Sequence, residues 1–182
     1  MIRVTPTEMP EVIILEYEVY KDIRGIKYNH YSKRELERLG IFTDFLEETL
    51  YCPEKKGTLY GIHLQNHPKA QTKLLYCTKG RGLDFAVDLR RNSNTYKKWV
   101  SVELSAQNRR QIYIPAGFGH AFLSLEDDTH IVFRIDNYFD PDLQRSIFYK
   151  DPDLKIPFNI ETPILSQQDI DAPFLKDSDC NL

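Results

Sequence analysis

The sequence predicts a mainly β fold, a sandwich or barrel of antiparallel strands with a few short helices. Three observations carry that expectation. Short apolar runs recur roughly every ten residues between turn-forming clusters, the spacing of an all-β sandwich or barrel. Aromatic residues are plentiful, with 11 Tyr, 10 Phe and 1 Trp among 182 residues, and aromatic and β-branched side chains suit a pleated, half-buried surface. The one clear helical pattern covers only about two turns. A chain of this length is expected to form one domain over residues 1–182.

Taken in order, Val12 to Tyr20 is rich in Ile, Val and Tyr and is expected as a strand. Ser32-Lys33-Arg34-Glu35 has the capping-box spacing, followed by Leu36 and Leu39 and a stop at Gly40, which predicts a short amphipathic helix. A second short helix is expected over Thr43 to Leu50. Strands are expected over Thr58 to Gln65 and Thr72 to Thr78, the latter ending at the turn Lys79-Gly80-Arg81-Gly82. Leu83 to Leu89 alternates only in part, whereas Trp99 to Leu104 alternates with period 2, as a half-buried antiparallel strand does. Arg110 to Ile114, Ala121 to Leu125 and His130 to Asp136 complete the strand set. From Asp151 onward Pro152, Pro157, Pro163 and Pro173 interrupt any periodicity, so this stretch is expected as an extended tail over the β core.

Composition removes several classes of function. Lys and Arg number 24 against 27 Asp and Glu, a net charge of −3, and no basic run is long enough to track phosphates, which argues against a nucleic-acid binder. No run approaches the roughly 18 apolar residues of a membrane span, and the N-terminus lacks the pattern of a secretory signal. Cys52, Cys77 and Cys180 are widely spaced with no CxxC, which argues against a disulfide framework or zinc knuckle and suits a reducing cytoplasm. Cys77, inside Leu74-Leu75-Tyr76-Cys77, is expected as a buried small hydrophobe. Neither GxGxxG nor GxxxxGK[ST] occurs, so no dinucleotide or P-loop site is predicted. The aromatic excess fits either a β core or an aromatic-lined pocket.

Four side chains stand out as candidates for chemistry. With period 2, His63 in Tyr60-Gly61-Ile62-His63-Leu64-Gln65 shares a small, polar face with Gly61 and Gln65. Such a face holds a ligand if it lines a barrel interior, and is otherwise solvated. His120 follows a tight loop in Pro115-Ala116-Gly117-Phe118-Gly119-His120, the PxGxxH pattern of the second cupin motif. A metal cupin also needs HxH and a downstream Glu, which His63-Leu64-Gln65-Asn66-His67 does not supply, so no metal is expected. His120 is then a hydrogen-bonded interior histidine. Lys73 either points into the barrel as a cation aimed at a ligand oxygen or faces solvent. Asp169 by itself has the character of a surface carboxylate.

Together these residues resemble one family. Gly61-Ile62-His63-Leu64-Gln65, Lys73, Asp84-Phe85-Ala86-Val87-Asp88-Leu89-Arg90, the loop Ile114 to Phe122 and Leu165-Ser166-Gln167-Gln168-Asp169 look like the deoxysugar-nucleotide 3,5-epimerases, typified by dTDP-4-dehydrorhamnose 3,5-epimerase. Asp22-Ile23-Arg24-Gly25 resembles the family's DxRG, and Asp151-Pro152-Asp153-Leu154-Lys155-Ile156 its DPxLxI. The resemblance spans about residues 10 to 175 in order. It implies a cupin-type jelly roll, a homodimer, no metal or other cofactor, and a dTDP-linked nucleotide-sugar substrate. It also implies that His63 is a base acting beside a 4-keto group, that Asp169 holds and polarises that imidazole, and that Lys73 stands near the C4 oxygen where enolate charge develops. His120 matches a supporting active-site histidine, and Arg24 an arginine that meets the diphosphate. Tyr138 matches an aromatic lining the site. Gln65, Tyr28 and Phe122 are expected there too.

The sequence departs from the family at three places. Phe133 stands where the family has a proton-donating Tyr, Tyr60 where it has Arg, and Glu48-Thr49-Leu50 in a stretch that contacts the nucleotide. Phenylalanine has no hydroxyl, so water, Tyr60 and Tyr138 become the candidate sources of the second proton. Three functions are compatible with this pattern. They are an epimerase, acting on C3 alone or on both C3 and C5; a 3,4-ketoisomerase using the same enolate; and a non-catalytic sugar-nucleotide-binding cupin.

Overall fold

Strand alternation sorts the apolar residues of this chain onto the faces of two antiparallel sheets. The computed structural model describes residues 1–182. Its strands are β1 (Ile2–Pro6), β2 (Ile13–Tyr17), β3 (Tyr20–Asp22), β4 (Gly25–Lys27), β5 (Glu47–Tyr51), β6 (Leu59–Gln65), β7 (Lys73–Lys79), β8 (Arg81–Asp88), β9 (Trp99–Ser105), β10 (Gln111–Ile114), β11 (Phe118–Ser124), β12 (His130–Ile135) and β13 (Gln144–Ser146). Two short helices, α1 (Lys33–Arg38) and α2 (Gln167–Ile170), flank them. The six-stranded sheet runs β1-β2-β10-β7-β12-β5, the five-stranded sheet β13-β6-β11-β8-β9, and β3-β4 is a separate hairpin. The two larger sheets pack face to face as the predicted jelly-roll sandwich.

Three apolar layers result. Between the sheets, Leu75, Cys77, Ile112 and Ile131 meet Ala86, Val100, Val102 and Phe122. On the other face of the five-stranded sheet, Leu59, Ile62, Phe85 and Val87 pack against Leu154, Ile156, Phe158 and Leu175 of the tail. Leu36 of α1 covers Leu15 and Leu74 on the outer face of the six-stranded sheet. The five-stranded sheet is therefore covered on both sides, which is why β8 does not alternate cleanly: Phe85 and Val87 face the tail while Asp84 and Ala86 face inward.

From Asp151 the tail packs over the five-stranded sheet. The buried Asp151 carboxylate fastens it by accepting from the Asp153, Leu154 and Leu175 N–H groups at 2.8, 3.0 and 2.6 Å. Cys77 is buried, and burial pushes its thiol up to about 12, so it is an inert hydrophobe. No helix is long and apolar enough to cross a membrane.

Helix α1 forms where the capping box places it, with Ser32 Oγ accepting from the Glu35 N–H and Gly40 in the left-handed region at φ 81°. The second predicted helix is not there. Glu47–Tyr51 is instead strand β5, paired antiparallel with β12 from Tyr51↔Ile131 to Glu47↔Ile135. The open edge of β12 offers a row of unpaired backbone groups, and pairing with it overrides the helix preference of Glu-Glu. The single strand expected over Val12 to Tyr20 divides into β2 and β3. Strands β1, β4 and β13 lie outside the expected set: β1 alternates Ile2 and Val4 with Arg3 and Thr5 but is a short, largely exposed edge, and β4 and β13 have three residues each.

Candidate active site

The site begins with an irregularity in β6. Strand β11 pairs His120 with His63 and Phe122 with Tyr60, so Gly61 and Ile62 together stand opposite Ala121. This two-against-one arrangement is a β-bulge. Gly61 adopts φ 84°, a region glycine enters without steric cost. The bulge breaks strict alternation, so Tyr60, three residues before His63, joins it in the cleft. A Cβ on Gly61 would lie 2.9 Å from His63 Cγ and 3.0 Å from the His120 carbonyl oxygen. Gly61→Ala is therefore expected to cost about 1–2 kcal/mol for the backbone alone. By displacing the imidazole it should also lower turnover about 10²-fold. Denaturation midpoints and an activity assay on the same preparation check both.

His63 is held by a residue 106 positions away. Its Nε2 donates to Asp169 Oδ1 at 2.6 Å. Asp169 sits in the first turn of α2, whose N-cap Ser166 accepts from the Asp169 N–H at 3.2 Å and donates its hydroxyl to Asp169 Oδ2 at 2.8 Å. The segment before α2 is tied to β6 by hydrogen bonds from the Ile164 N–H to the Gly57 oxygen and from the Leu59 N–H to the Ile164 oxygen, each 2.9 Å. Burial alone would raise the Asp169 carboxyl. The hydrogen bond and charge of His63, with bonds from Ser166 and the Gly61 N–H, overcome it and hold the group below the usual carboxylate range. An ionised Asp169 can only accept, so Nε2 is the donor, and in the neutral ring Nδ1 is the free lone pair. A base aimed from a fixed ring is the result.

Lys73 is buried, with Nζ 3.5 Å from the His63 carbonyl oxygen. Burial lowers its ammonium to about 8, against the opposing pull of Asp84 and Asp136. His120 Nε2 donates to the fully buried Asp84 at 2.9 Å, and burial holds this histidine below its ordinary value despite that carboxylate. Lys73, His63 and His120 all line one cleft of about 310 Å³ between the sheets.

The two walls of the cleft differ. The five-stranded sheet contributes Tyr60, His63, His120 and Phe122, and the six-stranded sheet Glu47, Thr49, Tyr51, Lys73 and Phe133. At the mouth Tyr51 is stacked between Tyr60 and Phe133, with ring centroids 4.9 and 4.8 Å away and planes 27° and 26° apart. A base fixed by a carboxylate, a buried cation and an aromatic wall suit proton abstraction next to a carbonyl whose oxygen the cation can stabilise.

Known proteins carry the same framework. The family described as dTDP-4-dehydrorhamnose 3,5-epimerase matches residues 6–177. The chain belongs to this family. A dTDP-4-dehydrorhamnose 3,5-epimerase of Shigella flexneri is 36% identical over 178 residues, 97% of this chain and 98% of that one. A dTDP-4-dehydro-6-deoxyglucose 3-epimerase of a Streptomyces species is 40% identical over 160 residues, 86% of this chain and 81% of that one. The crystal structure of the Bacillus anthracis 3,5-epimerase with TDP and PPi bound superimposes with a TM-score of 0.94 at 36% identity, covering 96% of this chain and all of that one, 100%.

Within this epimerase-family fold the residues expected at the site divide into two groups. His63, Asp169, Lys73, His120, Tyr60, Phe122 and Phe133 converge on the cleft. Gln65 does not line it. Its amide is spent on the Lys69 and Tyr138 carbonyl oxygens at 2.6 and 3.1 Å, and its Oε1 accepts from the Asp140 N–H at 2.9 Å, so it fastens the flanking loops. Tyr138 is 63% exposed and its neighbour Phe139 takes the place at the cleft. Glu48 faces the opposite side of β5 and pairs with Arg134, while Glu47 and Thr49 face the cleft. Tyr28 packs at a tilt against His30, which packs at a tilt against Tyr76 on the face of β7 opposite to Lys73 and Leu75. Arg24 sits on the exposed β3–β4 hairpin, bonded to Asp22, and does not reach the cleft of its own chain.

Sequence reasoning missed Glu47, which lies in the segment expected as a helix, and Tyr51, just past that helix's expected end where no strand was expected; Thr49 it named only within the Glu48-Thr49-Leu50 stretch. It missed the role of Ser166, whose spacing to Asp169 is itself a cap signal, and of Asp84, an acidic residue inside an apolar strand.

Proposed function

We propose that this protein epimerises a dTDP-linked 4-keto-6-deoxyhexose by proton abstraction beside the keto group. The observation that carries the reading is the His63–Asp169 pair at 2.6 Å in the same cleft as the buried Lys73. His63 Nδ1 takes the proton from the acidified carbon, and Asp169 balances the imidazolium that forms. The electron pair moves into an enolate whose oxygen faces the Lys73 ammonium. Return of a proton to the other face of the planar carbon inverts it. His120, fixed by Asp84, borders the same region.

Inversion at C3 alone is the favoured form of the reaction. Phe133 gives the cleft wall no hydroxyl at its position, and the chain is 40% identical to a relative named as a 3-epimerase. The test is incubation with dTDP-4-keto-6-deoxyglucose in deuterated water, followed by NMR. Deuterium with inversion at C3 and none at C5 is expected. Incorporation at both carbons would make it a 3,5-epimerase, and a keto group moved to C3 would make it a ketoisomerase. No exchange with any 4-keto sugar nucleotide would leave only a binding role.

Lys73 gives the reaction a pH limit. The ammonium is present below about 8 and lost above it, so kcat is expected to fall tenfold per pH unit above about 8. In Lys73→Arg, whose guanidinium stays charged, that limb should vanish from the pH profile even if turnover is lower.

The working form is a homodimer. The exposed β3–β4 hairpin, with Ile23 and Ile26 uncovered beside Arg24, supports a reading in which Arg24 serves the diphosphate of a neighbouring copy. Light scattering at the mass of two chains checks this. Three free cysteines suit a cytoplasmic setting.

A further inference from the structure

Inversion needs an acid as well as a base, and the two must stand on opposite faces of the planar carbon between them. The cleft is bounded by the two sheets, and His63 projects from β6 of the five-stranded one. Any acid completing the inversion therefore belongs to the wall formed by the six-stranded sheet. Two phenols line the cleft, Tyr51 and Tyr60. Tyr60 lies on β6 beside the base, on the wrong wall. Tyr51 lies on β5, the edge strand of the six-stranded sheet.

We propose that Tyr51 is the catalytic acid, delivering its hydroxyl proton to the sugar carbon on the face opposite His63. The assignment rests on the epimerase reading above and adds a residue to it. Protons balance across the step. The C–H bond breaks and its proton passes to His63 Nδ1, while the electron pair becomes the enolate. The enolate carbon then takes the proton of Tyr51 Oη and leaves a phenolate. His63 gives its proton to solvent, and the phenolate takes one back.

The surroundings of Tyr51 fit that cycle. Its ring is clamped between Tyr60 and Phe133, at 4.9 and 4.8 Å, which fixes the plane from which the hydroxyl projects. Burial and the Glu47 charge raise its phenol, so the proton stays on the oxygen at neutral pH. The residue is still 39% exposed, which gives water a route to restore the proton.

The experiment compares Tyr51→Phe and Tyr60→Phe with the unaltered protein on dTDP-4-keto-6-deoxyglucose in deuterated water, reading deuterium incorporation and configuration separately by NMR. Tyr51→Phe is expected to keep incorporation, with His63 returning deuterium to the face it came from. Inversion should fall by about 10²-fold or more. Tyr60→Phe keeps the ring that packs on Tyr51 and is expected to leave the ratio of inversion to incorporation unchanged. Retained exchange also shows that the variant is folded. Inversion at the unaltered rate in Tyr51→Phe overturns the proposal. So does a loss of exchange together with inversion, which would place Tyr51 in binding or in the first proton transfer, and so does a selective loss of inversion in Tyr60→Phe. A lack of exchange in the unaltered protein would instead overturn the epimerase reading on which the proposal rests.

Discussion

With His63→Ala, deuterium exchange beside the keto group is expected to fall by about 10²–10⁴-fold, the usual contribution of a positioned general base. The size of the effect follows from the cleft. His63 Nδ1 is a lone pair held in place by the Nε2 bond to Asp169, and no other histidine there is equivalent. His120 has its Nε2 committed to the buried Asp84 and is held below its ordinary pKa by burial. The measurement is the rate of deuterium uptake by NMR at saturating substrate, with circular dichroism as the check on folding. Exchange in the variant within tenfold of the unaltered protein would remove His63 as the base.

Asp169→Asn is the second large effect, and it separates charge from shape. The side chain keeps its size, so Ser166 and α2 stay in place. Two things are lost. The imidazolium formed on proton abstraction no longer has a carboxylate beside it, and the amide can donate to His63 Nε2, which puts the ring proton on Nδ1 and blocks the base. A wrong tautomer with intact geometry costs about 10⁴-fold in the Ser-His-Asp enzymes, and a fall of about 10²–10⁴ in kcat with little change in KM is expected here. Isothermal titration with dTDP should give an unchanged affinity. A parallel loss of dTDP affinity would mean that Asp169 shapes the binding site instead.

Much of this site is legible in the sequence, because some residues carry their reason locally. The capping box at Ser32 predicts α1 from four residues, and a capped turn needs nothing beyond its own segment. Gly61 two positions before His63, and the Pro-Gly loop before His120, mark strands that bring histidines to one place. The resemblance of ordered motifs then gives Lys73 and Asp169 their company. Other residues lack such a local reason. Tyr51 sits in Glu47-Glu48-Thr49-Leu50-Tyr51, whose composition favours a helix, and it lines the cleft only because the edge of β12 recruits that segment as a strand. Tyr138 and Phe139 are adjacent aromatics, and nothing in the pair tells which one faces the cleft.

The sequence by itself determined the β class, the order of most strands, the capped helix and the family, and it named the residues proposed as base, cation and carboxylate. The class, the strands and the helix follow from short-range pattern and composition, and the family and the proposed roles from the resemblance of ordered motifs. Tertiary structure alone decided which faces those residues share. The Gly61 bulge put Tyr60 beside His63, strand pairing turned Glu47 and Tyr51 toward the cleft and Glu48 away from it, and the packed tail carried Asp169 across 106 residues to the imidazole. The physical reason is that a side chain's face depends on register, a shift of one residue reverses it, and register is fixed by hydrogen bonds to strands distant in the chain.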